Sequence, residues 1–306
     1  MEPLNRAALG LVDEAIDVSD ELGVGVVELD CGATVIDFGI DVPGGTEAGV
    51  LFAELQTGGL ASVAVTLDRL GDGTIPAVEL RTDQPAIALL AAQHAGWTIE
   101  DDAFSGLASG PARALAADDH MFDVLDYRED FEFAVLCIET DRLPTDAVAA
   151  EVADRVGINE EAVFLATAPT GSVAGSVAGA SRAAELAMTR LVSVGYDPAA
   201  VRTAYGTAPV PPATADESRG VARSGDALFF GGRAHLVVED DPAGEDPLAS
   251  TAADRIGQPT YDAAPAFEEL PGDVFAPASV TVDVIDGPTI TEGAVDEDLL
   301  RESFDR

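Results

Sequence analysis

Hydrophobic positions along the chain switch between helical spacing and short runs of branched residues. Apolar side chains recur with a helical period over 5–22, with acidic residues on the other face, which predicts a helix. The runs rich in Val and Ile at 24–29 and 33–38 predict strands. The same criteria predict further helices at 48–55, 84–94, 112–117, 145–155, about 173–194 and near the C-terminus. They predict further strands at 62–67, 78–81, 131–139, 162–168, 227–238 and 279–285.

This mixture of adjacent strands and strand–helix alternation predicts a mixed α/β (α+β) fold and argues against an all-β sandwich or a helical bundle. A chain of 306 residues suits two ordinary domains. We expect an N-terminal α/β lobe at 1–160 and a C-terminal α/β lobe at 161–306, with an approximate boundary and possible exchange of segments. The acidic, Pro/Gly-rich stretch 239–271 is predicted to be a solvated insertion or a long surface loop.

Composition narrows the classes of partner. With 47% hydrophobic residues the chain has enough apolar material for a packed core. Sixteen basic residues, all Arg, stand against 56 acidic ones, for a net charge of −40. Nucleic acids and anionic membranes attract basic surfaces, so neither is an expected partner. A chain this acidic and without Lys indicates adaptation to a salt-rich cytoplasm, where ions screen self-repulsion; the alternative is an ordinary acidic protein.

The cysteines and the N-terminus favour an intracellular setting. Cys31 and Cys137 cannot form a disulfide framework for a chain of this size, and both lie in apolar runs, so we expect buried free thiols. Acidic residues near the N-terminus disfavour a signal peptide. The uncharged stretch 163–181 is interrupted by Pro, Gly and hydroxyl residues, which disfavours a membrane span. We expect a cytoplasmic protein.

Several familiar catalytic patterns are missing from the sequence. His94, His120 and His235 are far apart, and no His-x-x-x-His or Cys-x-x-Cys pair is present, so no zinc site is expected. The run GSVAGSVAGASR has no Lys for a phosphate-binding loop. Neither G-x-G-x-x-G nor G-x-S-x-G occurs, which disfavours nucleotide cofactors and acyl-serine chemistry.

The uncharged run is the most informative segment. Residues 162–186 read AVFLATAPTGSVAGSVAGASRAAEL, which predicts a strand, a sharp break at Pro169-Thr170-Gly171 and a helix opened by Gly and Ser. Small residues at a strand end and a helix start allow a ligand close to the backbone. Arg182 and Glu185 follow on one helical face. They are either a buried functional pair or a surface ion pair contributing only about 0.2–0.5 kcal/mol.

Two other clusters of small residues have a similar character. The stretch 105–113 places Arg113 just inside a predicted helix; its alternative interpretation is a tight turn with a solvated Arg. In the stretch 41–49, the glycines of a Pro-Gly-Gly turn permit close packing against the backbone; the alternative interpretation is a plain turn.

Taken in order, these clusters resemble the methenyltetrahydromethanopterin cyclohydrolases of archaeal and methylotroph one-carbon metabolism. The resemblance extends from about residue 5 to 304, with 239–271 unmatched, and GSVAGSVAGASRAAE is its most specific part. The matching stretches are VIDFGIDVPGGTEAGVLFAEL, TGGLASVAV, TDQPAIALLAAQHAGW, LASGPARAL, VFLATAPTGSVAGSVAGASRAAELA, GTAPVPPATAD, DALFFGGRAHLVV and FAPASVTV.

The resemblance implies a homotrimer of chains built from two α/β lobes that enclose a pterin pocket. It implies reversible hydrolysis of a cyclic methenyl-pterin cation to a formyl-pterin without metal or redox cofactor. Arg182 and Glu185 match the family's essential pair, so we expect Glu185 to act as base and Arg182 to orient it. The expected pocket walls are 43–49, 105–113, 170–176 and 207–213. The expected binding residues are Pro43, Gly44, Gly45, Ser109, Gly110, Arg113, Thr170, Gly171, Ser172, Ser176, Pro209 and Pro211.

Several alternatives stay open at this point. The carrier is tetrahydromethanopterin or tetrahydrofolate, and the product is the N5- or the N10-formyl isomer. A non-catalytic protein that binds or carries a reduced pterin, or a hydrolase for another pterin or cyclic amidine, would fit the same residues.

Overall fold

The computed structural model describes residues 2–101, 104–242, 247–262 and 270–305. The chain divides into two compact units, the first comprising Met1–Ala61 and Ile87–Gly175 and the second Ser62–Ala86 and Ser176–Arg306. Compared with a single cut near residue 160, this division lies later in the chain and assigns 62–86 to the C-terminal unit. Both units are mixed α/β structures, as the sequence predicts.

In the first unit the described strands are β1 Gly25–Glu28, β2 Thr34–Asp37, β5 Trp97–Asp101, β6 Phe104–Ser109, β7 Ala134–Glu139 and β8 Val163–Ala168. They form one six-stranded sheet in the order β1-β2-β8-β7-β6-β5. Strands β2, β8 and β7 are mutually parallel, and the remaining pairs are antiparallel. The helices are α1 Leu4–Asp17, α2 Ser19–Leu22, α3 Thr46–Gln56, α4 Arg113–Ala116, α5 His120–Leu125 and α6 Asp146–Val156.

The core of the first unit follows from the apolar residues of the central strands. Leu136 and Ile138 of β7 and Leu165 of β8 pack with Val148 and Val152 of α6 in one fully buried cluster. Because β7 and β8 are covered on both faces, they appear in the sequence as continuous apolar runs.

In the second unit the described strands are β3 Ser62–Leu70, β4 Gly73–Thr82, β9 Val201–Pro209, β10 Arg233–Val238, β11 Ser279–Val284 and β12 Thr289–Gly293. They form another six-stranded sheet, in the order β12-β11-β10-β9-β4-β3. Among these described strands, β10 and β11 are the only parallel neighbours. The helices are α8 Ala183–Ser193, α9 Glu217–Gly231, α10 Ala252–Arg255 and α11 Glu297–Ser303, and α7 Val173–Ala180 connects from the first unit.

One sheet face of the second unit is covered by α8 and α9, and buried and exposed positions alternate along β4 and β9. Phe230 is fully buried, and Phe229 makes an edge-to-face contact with Phe275, with ring centroids 5.4 Å apart.

The strand predicted at 227–238 is wrong in its first part. Residues up to Gly231 belong to α9, and only Arg233–Val238 form β10. The Asp216 side chain caps α9 by accepting a hydrogen bond from the Arg219 N–H, a start signal that the sequence analysis missed. The last residues of α9 read ALFFG and are all buried, and so short an apolar run does not distinguish a helix from a strand.

Other boundaries also differ from prediction. The helix predicted at 5–22 is interrupted at Val18, and the one predicted at 173–194 is broken at Ser181–Arg182 into α7 and α8. The helix predicted at 84–94 is a π-helix over Ala86–Gln93. The small residues at 105–109 form strand β6 rather than a turn, and β5 and β9 were not predicted.

The described part of the acidic stretch is only partly solvated. Residues 239–241 are exposed, as predicted, but the prediction is wrong for the residues of 247–262 that are buried. Leu248, Ala249 and Ala252 are buried, and the Leu248 N–H donates to Glu292 Oε2 at 2.7 Å. Residues 243–246 and 263–269 of the stretch lie outside the described residues.

Asp226 in α9 connects this stretch to the C-terminal helix. Its fully buried carboxylate accepts the Thr260 N–H at 3.1 Å and the Ser303 hydroxyl at 2.7 Å. Burial raises the pKa of Asp226 to about 6, an effect that the nearby Asp262 reinforces and the bonds to Ser303 and Thr260 oppose.

Replacing Asp226 with Asn is therefore expected to stabilise the fold above pH 6. The unfolded carboxyl ionises near 3.8 and the folded one near 6, so wild-type stability is lost as pH rises through that window. The loss reaches about 3 kcal/mol, and Asn avoids it while still accepting the Thr260 N–H. Chemical denaturation of both proteins at pH 4 and pH 7 in molar KCl checks this. An equal difference between the two at both pH values would contradict it.

None of the described helices is both long and apolar enough to cross a membrane.

Candidate active site

Arg182 and Glu185 form a buried ion pair at the start of α8. Arg182 Nη1 lies 3.8 Å from Glu185 Oε2, and the two side chains are only 10% and 4% exposed. The pair is therefore not the solvated surface pair that spacing alone also allows. Because a charge removed from water is costly unless it is paired, burial of both groups marks this helix start as a candidate site.

The helix break places the two residues. Arg182 is the residue before the first turn of α8, and its carbonyl accepts the Leu186 N–H at 2.9 Å. Strand β9 passes so close to this turn that a Cβ on Gly206 would lie 2.6 Å from the Ala184 backbone nitrogen. The Thr189 hydroxyl donates to Glu185 Oε1 at 2.9 Å, which orients the carboxylate from one turn further along α8.

The Pro-Thr-Gly break is stabilised by a serine cap. Ser172 Oγ accepts the Gly175 N–H at 3.0 Å and donates to the Pro169 carbonyl at 2.8 Å, which starts α7. Gly175 packs directly on the loop, since a Cβ there would lie 1.9 Å from the Pro169 oxygen. Thr170 is buried beside it. This arrangement explains why the segment is made of small residues.

The turn after β2 is organised by Asp37. Its buried carboxylate accepts the backbone N–H groups of Gly39, Ile40 and Asp41 at 2.6–2.8 Å. The Gly44 N–H then donates to the Gly23 carbonyl at 3.0 Å, between Pro43 and Gly45.

Of the 105–113 cluster, Ser109 ends β6 and is 1% exposed. Within the described residues its hydroxyl oxygen has no hydrogen-bond partner. Gly110 donates its N–H to the Ala92 carbonyl at 2.7 Å.

Arg113 is fully buried, so the solvated turn arginine considered for this position is wrong. Its guanidinium donates to the carbonyl of His94 at 2.6 Å and pairs with Asp119 at 2.6 Å. It thereby binds the C-terminal end of the π-helix to α5. These contacts give Arg113 a structural role within the first unit; contact with a ligand stays a prediction.

The remaining predicted residues belong to the second unit. Ser176 is buried in α7. Pro209 ends β9 opposite Ala77, and Gly231 of α9 packs on its ring. Pro211 is buried just after the strand.

A model of the family described as Cyclohydrolase (MCH) matches residues 3–304. The chain belongs to this family. It is 51% identical over 308 residues to the methenyltetrahydromethanopterin cyclohydrolase of Halobacterium salinarum, with 99% of both chains covered. Proteins of the same name from Methanocella arvoryzae and Methanothermobacter marburgensis are 35% and 34% identical, with 99% of this chain covered and 98% and 99% of theirs.

Within each unit, this member of the cyclohydrolase family brings part of the predicted set together. In the first, the 43–45 turn lies beside the start of α7, since a Cβ on Gly44 would lie 3.6 Å from the Ala174 Cβ. Gly39, just before that turn, lies beside the Ser172 loop, since a Cβ there would lie 3.1 Å from Ser172 Oγ. In the second, Arg182 and Glu185 lie beside β9, the strand that ends at Pro209. Among the described residues, no three or more His, Cys, Asp or Glu side chains are grouped so that they could hold a metal ion.

Sequence reasoning missed two residues of this cyclohydrolase that shape the candidate site. Thr189, four residues after Glu185, has the helical spacing that signals a contact with it. Asp37, followed by a Gly two residues later, fits a carboxylate that binds the backbone of its own turn.

Proposed function

We propose that the chain catalyses the reversible hydrolysis of methenyl-tetrahydromethanopterin to formyl-tetrahydromethanopterin. The observation that carries this proposal is the match to cyclohydrolases over 99% of both chains at 51% identity. The buried Arg182–Glu185 pair supports it, because a charged pair held in a helix start can act on a reacting water.

The proposed reaction adds one water to the methenyl cation. The water oxygen bonds to the methenyl carbon, one ring C–N bond breaks, one water proton ends on the departing nitrogen, and the other is released. The methenyl carbon is already electrophilic because it belongs to an amidinium-like cation. The protein therefore has to supply a positioned water, a base and an orienting pocket, without metal or redox cofactor.

Glu185 is the proposed base and Arg182 its positioning partner. Glu185 Oε1 is held by Thr189, whereas Oε2 faces Arg182 at 3.8 Å. In this scheme Glu185 takes the proton from the attacking water and returns it to the departing nitrogen. Arg182 orients the carboxylate and balances its charge before the cationic substrate arrives.

The small-residue segments are the proposed walls for the flat heterocycle. In the first unit these are Pro43, Gly44, Gly45, Ser109, Gly110, Thr170, Gly171 and Ser172, with Arg113 supporting them from within. In the second they are Ser176, Pro209 and Pro211. This assignment is supported by the small size of the side chains, which allows a flat ring to approach the backbone closely.

We propose tetrahydromethanopterin as carrier, because the names of the matched relatives specify it. We further propose a homotrimer that works in a salt-rich cytoplasm. The resemblance to the family supports the trimer, and the net charge of −40 together with the haloarchaeal relative supports the setting.

The test is the decay of the methenyl near-ultraviolet absorption in molar KCl with each carrier in turn. We expect strong acceleration with methenyl-tetrahydromethanopterin and much less with methenyl-tetrahydrofolate. The reverse preference would make tetrahydrofolate the carrier. No acceleration with either, from a protein shown to be folded and trimeric, would overturn the proposal.

A non-catalytic pterin-binding protein, or a hydrolase for another cyclic amidine, would then be the better interpretation. A thermal-shift comparison of reduced pterins separates these two, since only the former requires stabilisation by a tetrahydropterin.

A further inference from the structure

The carboxyl ends of three parallel strands meet at one edge of the first unit's sheet. Asp37 ends β2, Ala168 ends β8 and Glu139 ends β7, and the register pairs Asp37 with Thr167 and Glu139 with Ala168. Ligands of parallel α/β sheets bind beyond such an edge. The Asp37 carboxylate is engaged by its own turn, whereas Glu139 is partly exposed at the end of its strand.

Gln56, the last residue of α3, holds the Glu139 side chain. It is fully buried, and its Nε2 donates to Glu139 Oε1 at 3.3 Å. In the described part of the chain Gln56 Oε1 has no hydrogen-bond partner. A buried unsatisfied polar atom costs about 1–3 kcal/mol, so its retention points to a role other than stability.

A second unsatisfied atom lies on the same face of the sheet. Ser109 pairs with Cys137 in the β6–β7 ladder, and Leu107 pairs with Glu139 two residues further along. Since side chains alternate along a strand, those of Ser109 and Glu139 emerge on one face. The Ser109 hydroxyl is the atom noted above as unpartnered among the described residues. The partly exposed Glu139 carboxylate therefore shares this region with two buried polar atoms, Gln56 Oε1 and Ser109 Oγ, that have no hydrogen-bond partner among the described residues.

We propose that the Glu139 carboxylate, positioned by Gln56, binds the 2-amino-4-oxopyrimidine end of the reduced pterin. The inference rests on the proposed function. The exocyclic amine and the adjacent ring N–H of that heterocycle are two parallel donors in one plane. They match the two oxygens of a carboxylate, as the N–H pair of a guanidinium does. Glu139 is thus a substrate-binding residue that selects the heterocycle, and Gln56 is a positioning residue.

The first test compares steady-state kinetics of wild type, Glu139→Gln and Asp141→Asn on methenyl-tetrahydromethanopterin. Asp141 is a matched control, two residues on, with a side chain 60% exposed. Binding lost equally from ground and transition states raises KM and spares kcat. We expect Glu139→Gln to raise KM about 10- to 100-fold with kcat within a factor of about three, and Asp141→Asn to change neither. An unchanged KM for Glu139→Gln, or a loss in kcat alone, would overturn the proposal.

The second test identifies which part of the substrate Glu139 contacts. Binding of 6-methyltetrahydropterin and of its 2-desamino-2-methyl counterpart is measured by calorimetry in molar KCl. We expect wild type to prefer the first by about 10-fold or more and Glu139→Gln to lose that preference, as in a double-mutant cycle. If Glu139→Gln keeps the full preference, Glu139 does not bind the exocyclic amine of the pterin. This measurement needs no turnover, so failure of the proposed reaction is visible separately.

Gln56→Met tests positioning, because Met fills the same space without hydrogen-bonding to Glu139. We expect a smaller rise in KM, about 3- to 10-fold, with the preference for the amine retained. A variant with a lower melting temperature but an unchanged KM would show that Gln56 only supports the fold.

Discussion

Replacing Glu185 with Gln is expected to lower kcat for methenyl hydrolysis by about 10²- to 10⁴-fold, the contribution typical of a positioned acid–base group. Gln keeps the side-chain length and an oxygen that can accept the Thr189 hydroxyl, now 2.9 Å from Glu185 Oε1. What it removes is the ability to take a proton from water. Absorbance assays under saturating substrate in molar KCl measure the effect.

The pattern of loss distinguishes a base from a structural residue. A base acts in the transition state, so KM is expected to stay near its wild-type value. The melting temperature is expected to fall, because the buried Arg182 loses its charged partner. Glu151→Gln, at an exposed position of α6, is the matched control and is expected to be neutral. Near-normal turnover of a folded Glu185→Gln protein would rule out Glu185 as the base.

The strongest fold signals in the sequence came from segments with one dominant environment. Three elements lie close to their predicted positions: the apolar strands β7 and β8 and the amphipathic helix α6. Buried strands and amphipathic helices each have a distinct pattern of apolar residues in the sequence. Strands β5 and β6 left no such pattern. β6 reads FSGLAS, and its residues are fixed by pairing with β7 rather than by strand propensity.

The candidate pair was visible from spacing, but its burial was not. The sequence places Arg182 and Glu185 on one helical face whether that face is buried or solvated. The face is buried because the helix breaks at Ser181–Arg182 and because strand β9 packs against the start of α8 at Gly206. The sequence pattern around the pair shows neither feature. Glu139 and Gln56 were missed for the same reason, because their contact joins residues 83 positions apart.

Removal of salt is expected to inactivate and unfold the protein reversibly. At a net charge of −40 the folded chain repels itself, and the Debye length grows from about 3 Å at 1 M to about 10 Å at 0.1 M salt. We expect activity and melting temperature to fall steeply as KCl is lowered from molar to about 0.1 M. Circular dichroism melts and the absorbance assay across a KCl series measure this. Full stability in dilute buffer would refute it.

The acidic residues of α1 and α2 allow a test of whether charge repulsion causes the dependence on salt. Asp13, Glu14 and Asp17 are exposed near the C-terminal end of α1, where the helix dipole is negative, and no basic residue lies in that last turn. Asp20 and Glu21 follow, both exposed. Changing these five residues to Asn or Gln is expected to lower the KCl concentration needed for half-maximal stability. Exchanging Asp and Glu at the same five positions keeps the charge and is expected to leave that concentration unchanged.

A comparison with sucrose distinguishes two ways in which KCl could stabilise the fold: by screening the repulsion among carboxylates, or by strengthening the burial of apolar surface in general. Excluded osmolytes favour the compact state of any protein but do not screen charge. If repulsion among carboxylates is the cause, sucrose in dilute buffer gives the wild type only a small part of the stability that KCl gives. The neutralised variant, which still carries a net charge of about −35, then reaches its high-salt stability at a lower KCl concentration than the wild type. Equal rescue by sucrose and by KCl would instead mean that the acidic surface is not what makes the fold depend on salt.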